Sequence, residues 1–231
     1  MSESFQISWD QTGERWYQVG VSRGVLYPMD ASGAYPKGVA WNGLTGVDEN
    51  PDGGDVTELW ADNIKYASFR NPENYGGTIK AYTYPDEWLP CDGQKAHSTL
   101  TGMTFQGQKR QPFGMCYRIE VGNDAGAEDY MLKLVYNSTV SPSSASHATK
   151  NENPDAEEMS WDYKSTPVNV TGVTGVDTTC VVTLDTRNLT DNQIAAIEQV
   201  LYGTPAAGQT AAVDARLPLP GEVASILAAA T

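Results

Sequence analysis

The sequence predicts a mainly β protein: two packed antiparallel sheets forming a sandwich or partial barrel, one short flanking helix, and extended terminal arms. Three observations carry this. Most of the chain reads as short segments of alternating apolar and polar residues, each broken by Gly, Pro, Asn or Asp. One stretch alone, after Thr190, shows the apolar period of a well-marked helix. A chain of 231 residues with 40% hydrophobic content has enough apolar surface for a core, and no internal repeat divides it, so residues 1–231 read as a single domain.

In chain order, residues 1–20 read as an N-terminal arm carrying Trp9, Trp16 and Tyr17, and residues 47–57 as an acidic loop made adaptable by Pro51 and the pair Gly53-Gly54. Trp60, Ile64, Tyr66 and Ser68 fall near alternate positions. Thr78, Lys80, Tyr82 and Tyr84 face away from Ile79, Ala81 and Thr83, so the two segments predict one hairpin turning around residues 71–77. Residues 117–121 and 130–136 predict a second hairpin across the turn-rich residues 122–126. Met159, Trp161 and Tyr163 alternate with polar neighbours, and residues 181–184 close the strands.

The helix is placed at residues 190–203. Thr190 and Gln193 have capping-box spacing, Leu189 and Ile194 sit at staple positions, and Gly203 stops the helix. Ile194, Ile197 and Leu201 form its apolar stripe, leaving Glu198 and Gln199 towards water. Residues 1–15, 139–153 and 204–215 read as mobile. The last leads into Leu217-Pro218-Leu219-Pro220, whose prolines favour an extended C-terminal arm over residues 204–231, with an apolar pattern at Val223, Ile226 and Leu227.

The residues offer little chemistry. His97 and His147 are the two histidines, both in turn-like sequence, and no nucleophile-elbow, zinc-helix, Walker or dinucleotide-binding string occurs. Cys91, Cys116 and Cys180 lie far apart without metal-ligand spacing and read as reduced core thiols. The acidic cluster Asp48, Glu49, Asp52, Asp55, Glu58 and Asp62 lacks the alternate-residue spacing of a calcium loop and reads as solvated. No catalytic, cofactor or metal residue is assigned. A formal charge of −14, from 29 acidic against 15 basic residues, argues against gripping nucleic acid or an anionic membrane. No apolar run long enough to span a bilayer occurs, and the first residues lack the order of a signal peptide, which predicts a protein that stays in the cytosol where it is made.

The runs VAWNGLTGV, ELWADNIKY and YGGTIKAYTYPDEW, in that order between Gly24-Val25-Leu26-Tyr27-Pro28 and Leu217-Pro218-Leu219-Pro220, resemble the major tail protein of long-tailed, siphovirus-type bacteriophages, the subunit of the tail tube. That resemblance implies a non-enzymatic virion protein of tail-tube-type fold. It implies homo-oligomeric rings, six subunits each, whose β-sheets join into an inner barrel and which stack into the conduit for genome ejection. Implied partners are other copies of itself and the tape-measure, tail terminator and distal tail proteins, with DNA a non-adhesive passenger and no membrane or cofactor. Assembly would take place in the host bacterial cytoplasm and the product would be the virion tail. Residues 47–57 correspond to the loop that reaches an adjacent ring, which makes Asp48, Glu49, Asp52 and Asp55 the inter-ring candidates, facing cations such as Lys109 and Arg110. Candidates for lining the lumen are Glu58, Asp62, Glu73, Asp86, Glu120 and Asp124.

Two other readings stay open on the residues alone. Six Trp and twelve Tyr on a β-sandwich suit a carbohydrate- or receptor-binding module, such as a tail decoration or adhesin, although Trp41, Trp60 and Trp161 read as core. Plentiful carboxylates leave room for a glycoside hydrolase.

Overall fold

The computed structural model describes residues 7–71, 73–100, 102–142, 147, 149, 156–206 and 211–230. The mobility read into residues 1–6, 143–146, 148, 150–153 and 207–210 falls outside these. Strands β1 (Trp16–Pro28), β2 (Val39–Ala40), β3 (Leu44–Glu49), β4 (Val56–Ala61), β5 (Ile64–Arg70) and β6 (Gly76–Ala81) occupy the first part of the chain. They are followed by β7 (Phe113–Asn123), β8 (Glu128–Val140), β9 (Met159–Ser165) and β10 (Val181–Asp185), then by helices α1 (Asp191–Tyr202) and α2 (Pro220–Ala229).

One antiparallel sheet runs in the order β2-β1-β7-β8-β9-β6-β3, with β10 also on β8. Strand β8 changes neighbour along a single edge: Met131–Val135 pairs with β10, and Ser138–Val140 pairs with β9. Asn137, between these segments at φ 46°, makes the bend. The sheet curls until β3 lies near β1, with Leu44 of β3 against Gly24 of β1. No barrel closes, because β1 and β3 are not paired. The two predicted layers are thus halves of one continuous curled sheet. Gly24 permits the approach, since a Cβ there would stand 2.7 Å from the Leu44 side chain.

Alternation then makes two cores. Leu26, Phe113, Met115, Tyr117 and Val135 point inside the curl and meet Trp41, Ile79, Trp88, Trp161 and Tyr163. Their neighbours Val25, Tyr27, Cys116, Leu132, Leu134 and Tyr136 point to the outer face, which α1 and α2 cover with Ile197, Leu201 and Val223. Trp88 is the hub of the inner core, with ring centroids 4.6 Å from Trp41, 5.0 Å from Phe113 and 5.6 Å from Trp161. Each such pair adds about 0.5–1.5 kcal/mol beyond area burial. Tyr163 lies across Gly77, its β6 partner, where a Cβ would sit 2.9 Å from the hydroxyl and 2.0 Å from the Asp48 carbonyl. An alanine there does not fit.

The capping box at α1 forms as predicted: the Gln193 amide donates to Thr190 Oγ1 and the Thr190 amide to Gln193 Oε1. Gly203 ends the helix at φ 74°. Glu198 departs from its expected place in water. It reaches Arg118, which is buried to 8% exposure on β7, and also accepts from the Tyr130 hydroxyl at 2.6 Å. The Arg118 guanidinium stands 3.9 Å from the Tyr130 ring centroid and 5.4 Å from that of Tyr202. A charged, aromatic clamp therefore fastens α1 to the sheet.

Three expectations are corrected. The extended arm read over residues 204–231 is corrected at residues 220–229, which form α2, because Pro220 takes its first position, where a missing amide and a fixed φ favour a helix start. Leu217 and Val223 are buried, and the Tyr136 hydroxyl donates to the Pro218 carbonyl at 3.0 Å. Residues 16–20 belong to β1, paired with β7, rather than to an N-terminal arm. The hairpin expected between the segments around Trp60 and Tyr82 does not form: Ile64–Arg70 pairs with Val56–Ala61, while Gly76–Ala81 joins the main sheet between β9 and β3.

Candidate functional site: an uncovered β-ribbon

Strands β3 to β6 are one long hairpin whose outer part leaves the body. Both arms advance in step from Glu49↔Gly77, through Asp52↔Asn74 and Gly53↔Glu73, to Val56↔Arg70 and Leu59↔Ala67. Bonds from the Asn50 amide to the Gly76 carbonyl and from Asn71 to the Asp55 carbonyl, both 2.8 Å, bridge the gaps. At the tip Asp62 and Asn63 take φ values of 50° and 61°, the paired positive φ of a two-residue hairpin turn. The inner portion pairs with β9 and belongs to the sheet. The outer portion, β4 with β5, has no third strand among the described residues.

Register assigns its faces. Thr57, Leu59, Ala61, Ile64, Ala67 and Phe69 share one side, and Val56, Glu58, Trp60, Lys65, Ser68 and Arg70 share the other. The first side continues the parity of Val47, Tyr75 and Ile79, which pack on the inner core. In the ribbon no layer of described residues covers it. Leu59, Ile64 and Phe69 are exposed, as are Trp60 at 65% and Tyr66 at 74% on the same ribbon. Trp60 is therefore not a core residue, whereas Trp41 and Trp161 are. Glu58 pairs with Lys65, and with Asp62 and Arg70 the ribbon carries two acids and two bases within a chain of net charge −14.

The inter-ring candidates do not form a loop. Asp48 lies on β3 and pairs with Lys80 at 2.7 Å, which raises the lysine pKa. Glu49, the next residue, turns inward to accept from the Tyr117 hydroxyl at 3.0 Å and to pair with Lys133 at 3.1 Å. Asp52 sits at the ribbon base, 3.8 Å from Lys164, and Asp55 is exposed where β4 begins. Within the subunit, Arg110 donates to the Val140 carbonyl at 3.0 Å and stands 4.0 Å from Asp92.

The lumen candidates fall in three places. Glu58 and Asp62 lie on the ribbon, with Glu73 at its base. Asp86 opens a short turn of helix before Trp88. Glu120 and Asp124 lie at the far end of β7, where Glu120 accepts from Ser22 and Asp124 accepts from the Gly13 amide at 2.9 Å. Beside them the outer edge of β1 has no strand partner over Trp16–Ser22 among the described residues, since β2 pairs only with Val25 and Leu26. Tyr17 and Val19 are exposed there.

A cleft of about 870 Å³ lies between Tyr84, Trp161, Arg110 and Glu158. Its polar groups largely satisfy one another, Gln94 donating to Asp92 at 2.9 Å and Thr45 to Glu158. The three thiols are buried, and burial pushes Cys91 and Cys116 up to about 12. Among the described residues no group of three or more His, Cys, Asp or Glu is arranged to hold a metal.

Body and ribbon together define a mainly β architecture of antiparallel sheets with two helices and no closed barrel. Neither a known protein family nor a curated protein matches the chain. Among solved structures it is similar to the sheath/tube terminator of the PVC extracellular contractile injection system in the extended state. The identity is 13%, covering 78% of this chain and 99% of that one, with a TM-score of 0.35. The sheath-tube complex of that system, extended, is 13% identical over 71% of this chain and 88% of its own, with a TM-score of 0.31.

Proposed function

We infer that the chain is a structural subunit that assembles with copies of itself, as a tail-tube protein of the kind its sequence phrases resemble, without catalysis or cofactor. The observation that carries the reading is the ribbon. It continues a core-lining face beyond the body's own core, and an isolated two-stranded hairpin is at best marginal in water. A second layer from another subunit supplies what it lacks, and a charge-balanced ribbon approaches an acidic copy without the repulsion that the rest of the surface would meet. The open edge of β1 is a second, different surface. Two unlike patches on one chain make head-to-tail contacts, which close into rings or propagate as filaments.

In this reading stacked rings, six subunits each by the resemblance, enclose a lumen whose carboxylates repel a passing polyanion within a Debye length of about 8–10 Å. Tape-measure, terminator and distal tail proteins would meet the tube at its interior and ends. The test is negative-stain microscopy of concentrated wild-type protein beside a variant in which residues 56–70 are replaced by a short Gly-Ser turn. Rings or tubes in the first and dispersed, folded subunits in the second support the reading; dispersed wild-type subunits at every salt and pH tried refute it.

A further inference from the structure

Two strand edges of this chain agree in length, charge and facing. The first is the outer edge of β1, exposed from Trp16 to Gly20 and ended at Gly24, where Leu44 closes against it. The second is the outer edge of β4. Asp55 and Asp62 flank β4 seven positions apart, and Arg15 and Arg23 flank the β1 edge eight positions apart. On β1, Gln18 faces Val121 and Gly20 faces Glu120, which leaves Val19 as an extra, unopposed residue. A bulge residue adds chain without adding ladder, so the eight positions on β1 cover the same seven ladder steps as β4. Among the described residues the two edges do not pair within the subunit.

We propose that β4 of one copy adds antiparallel to the open β1 edge of a second copy, with Asp55 beside Arg23 and Asp62 beside Arg15. This names the partner of the ribbon and rests on the self-assembly inferred above. Charge selects the strand. The other edge of the ribbon, β5, carries Lys65 and Arg70, which would bring like charge to Arg15 and Arg23, and like charges directly opposite destabilise a strand pair. Arg23, Asp55 and Asp62 are exposed and make no ion pair among the described residues. Arg15 stands 3.7 Å from Asp124 in a loose, exposed contact. Aligning the ends then fixes the faces. Thr57 comes opposite Val21, and Thr57 shares its side with Leu59 and Ala61 while Val21 packs on the inner core. The uncovered apolar side of the ribbon thus extends the neighbour's inner layer. On the other side Trp60 and Tyr17, 65% and 53% exposed, meet as an aromatic cross-strand pair. A slip of one residue would turn both sets to the wrong side.

Charge exchange tests the pairing in the full chain, read by sedimentation at low salt as the protein concentration at which half the chains are assembled. Arg23→Asp and Asp55→Arg, each alone, should raise that concentration about tenfold, because each sets like charges opposite one another. The two changes move the net charge in opposite senses, so a loss in both cannot come from net charge. Arg23 has a φ of 48°, which aspartate tolerates. The double variant rebuilds the pair with its signs exchanged and should return to within about twofold of wild type. Wild type that assembles while the single variants assemble equally well, or while the double variant stays as weak as either, overturns this pairing and leaves self-assembly standing. Wild type that never assembles overturns both.

Discussion

The body and the ribbon are written in the same alternating, aromatic-rich code, yet one is a core and the other a bare surface. Trp161 on β9 and Trp60 on β4 each stand among alternating strand residues, but Trp161 is 6% exposed and Trp60 is 65% exposed. The difference lies outside either strand. Strand β9 has β8 and β6 beside it and a curled sheet closing over its inner face, whereas among the described residues β4 has only β5. Alternation specifies which side is apolar; the number of layers decides whether that side is buried. In the assembly proposed above, the apolar face left uncovered in one subunit is the face that a neighbouring copy would complete.

The contrast breaks first at the tryptophans. Trp88→Ala removes the aromatic hub and should destabilise the subunit by about 3–5 kcal/mol in urea unfolding, while Trp60→Ala should stay within about 0.5 kcal/mol. Equal losses would mean that the ribbon is packed in the free subunit after all. Glu198→Ala leaves buried Arg118 without its carboxylate, though still bonded to the Tyr202 hydroxyl, and Tyr130 without its acceptor, and because Glu198 is partly exposed the expected loss is about 2 kcal/mol. The same denaturation curves report it, and a neutral outcome would show that α1 is held by its apolar stripe alone.

Smaller effects sharpen the outer face of the body. Thr190→Ala removes half of the capping box and should cost about 1 kcal/mol. Glu222 on α2 is paired with Arg216, which lowers the Glu222 pKa below its ordinary value near 4.5. A carboxylate with a lowered folded-state pKa contributes stability above its unfolded pKa and loses it as pH falls through the folded value. Glu222→Gln should therefore cost about 0.5 kcal/mol at neutral pH, and the difference from wild type should vanish in acid below the ordinary carboxylate range. Thermal melts across that range decide it.

Several elements are legible in the sequence itself. The hairpin of β7 and β8, the alternation of β9 and the cap of α1 all follow from local pattern, because period and punctuation agree in each. The ribbon was missed at its turn. Asp62-Asn63 between Ala61 and Ile64 is a two-residue hairpin signal through the tolerance of Asp and Asn for positive φ, but the glycines and Pro72 further along drew the turn to residues 71–77. Helix α2 was hidden by prolines whose meaning depends on position: Pro218 precedes the helix and Pro220 begins it. The place of Glu198 was hidden because only tertiary packing brings Arg118, Tyr130 and Tyr202 beneath α1. The acids at residues 47–57 were visible as a cluster, but the pairing that turns Asp48 and Glu49 to opposite faces of β3 is a property of register.

Amide hydrogen exchange along residues 56–70, measured in dilute subunits and in concentrated protein, puts the central claim to the most direct test. If the ribbon is completed by a neighbouring copy, its amides exchange near the unprotected limit when dilute and gain at least about tenfold protection when concentrated, while β7 and β8 stay protected in both. Ribbon exchange that is the same at the two concentrations would contradict the account.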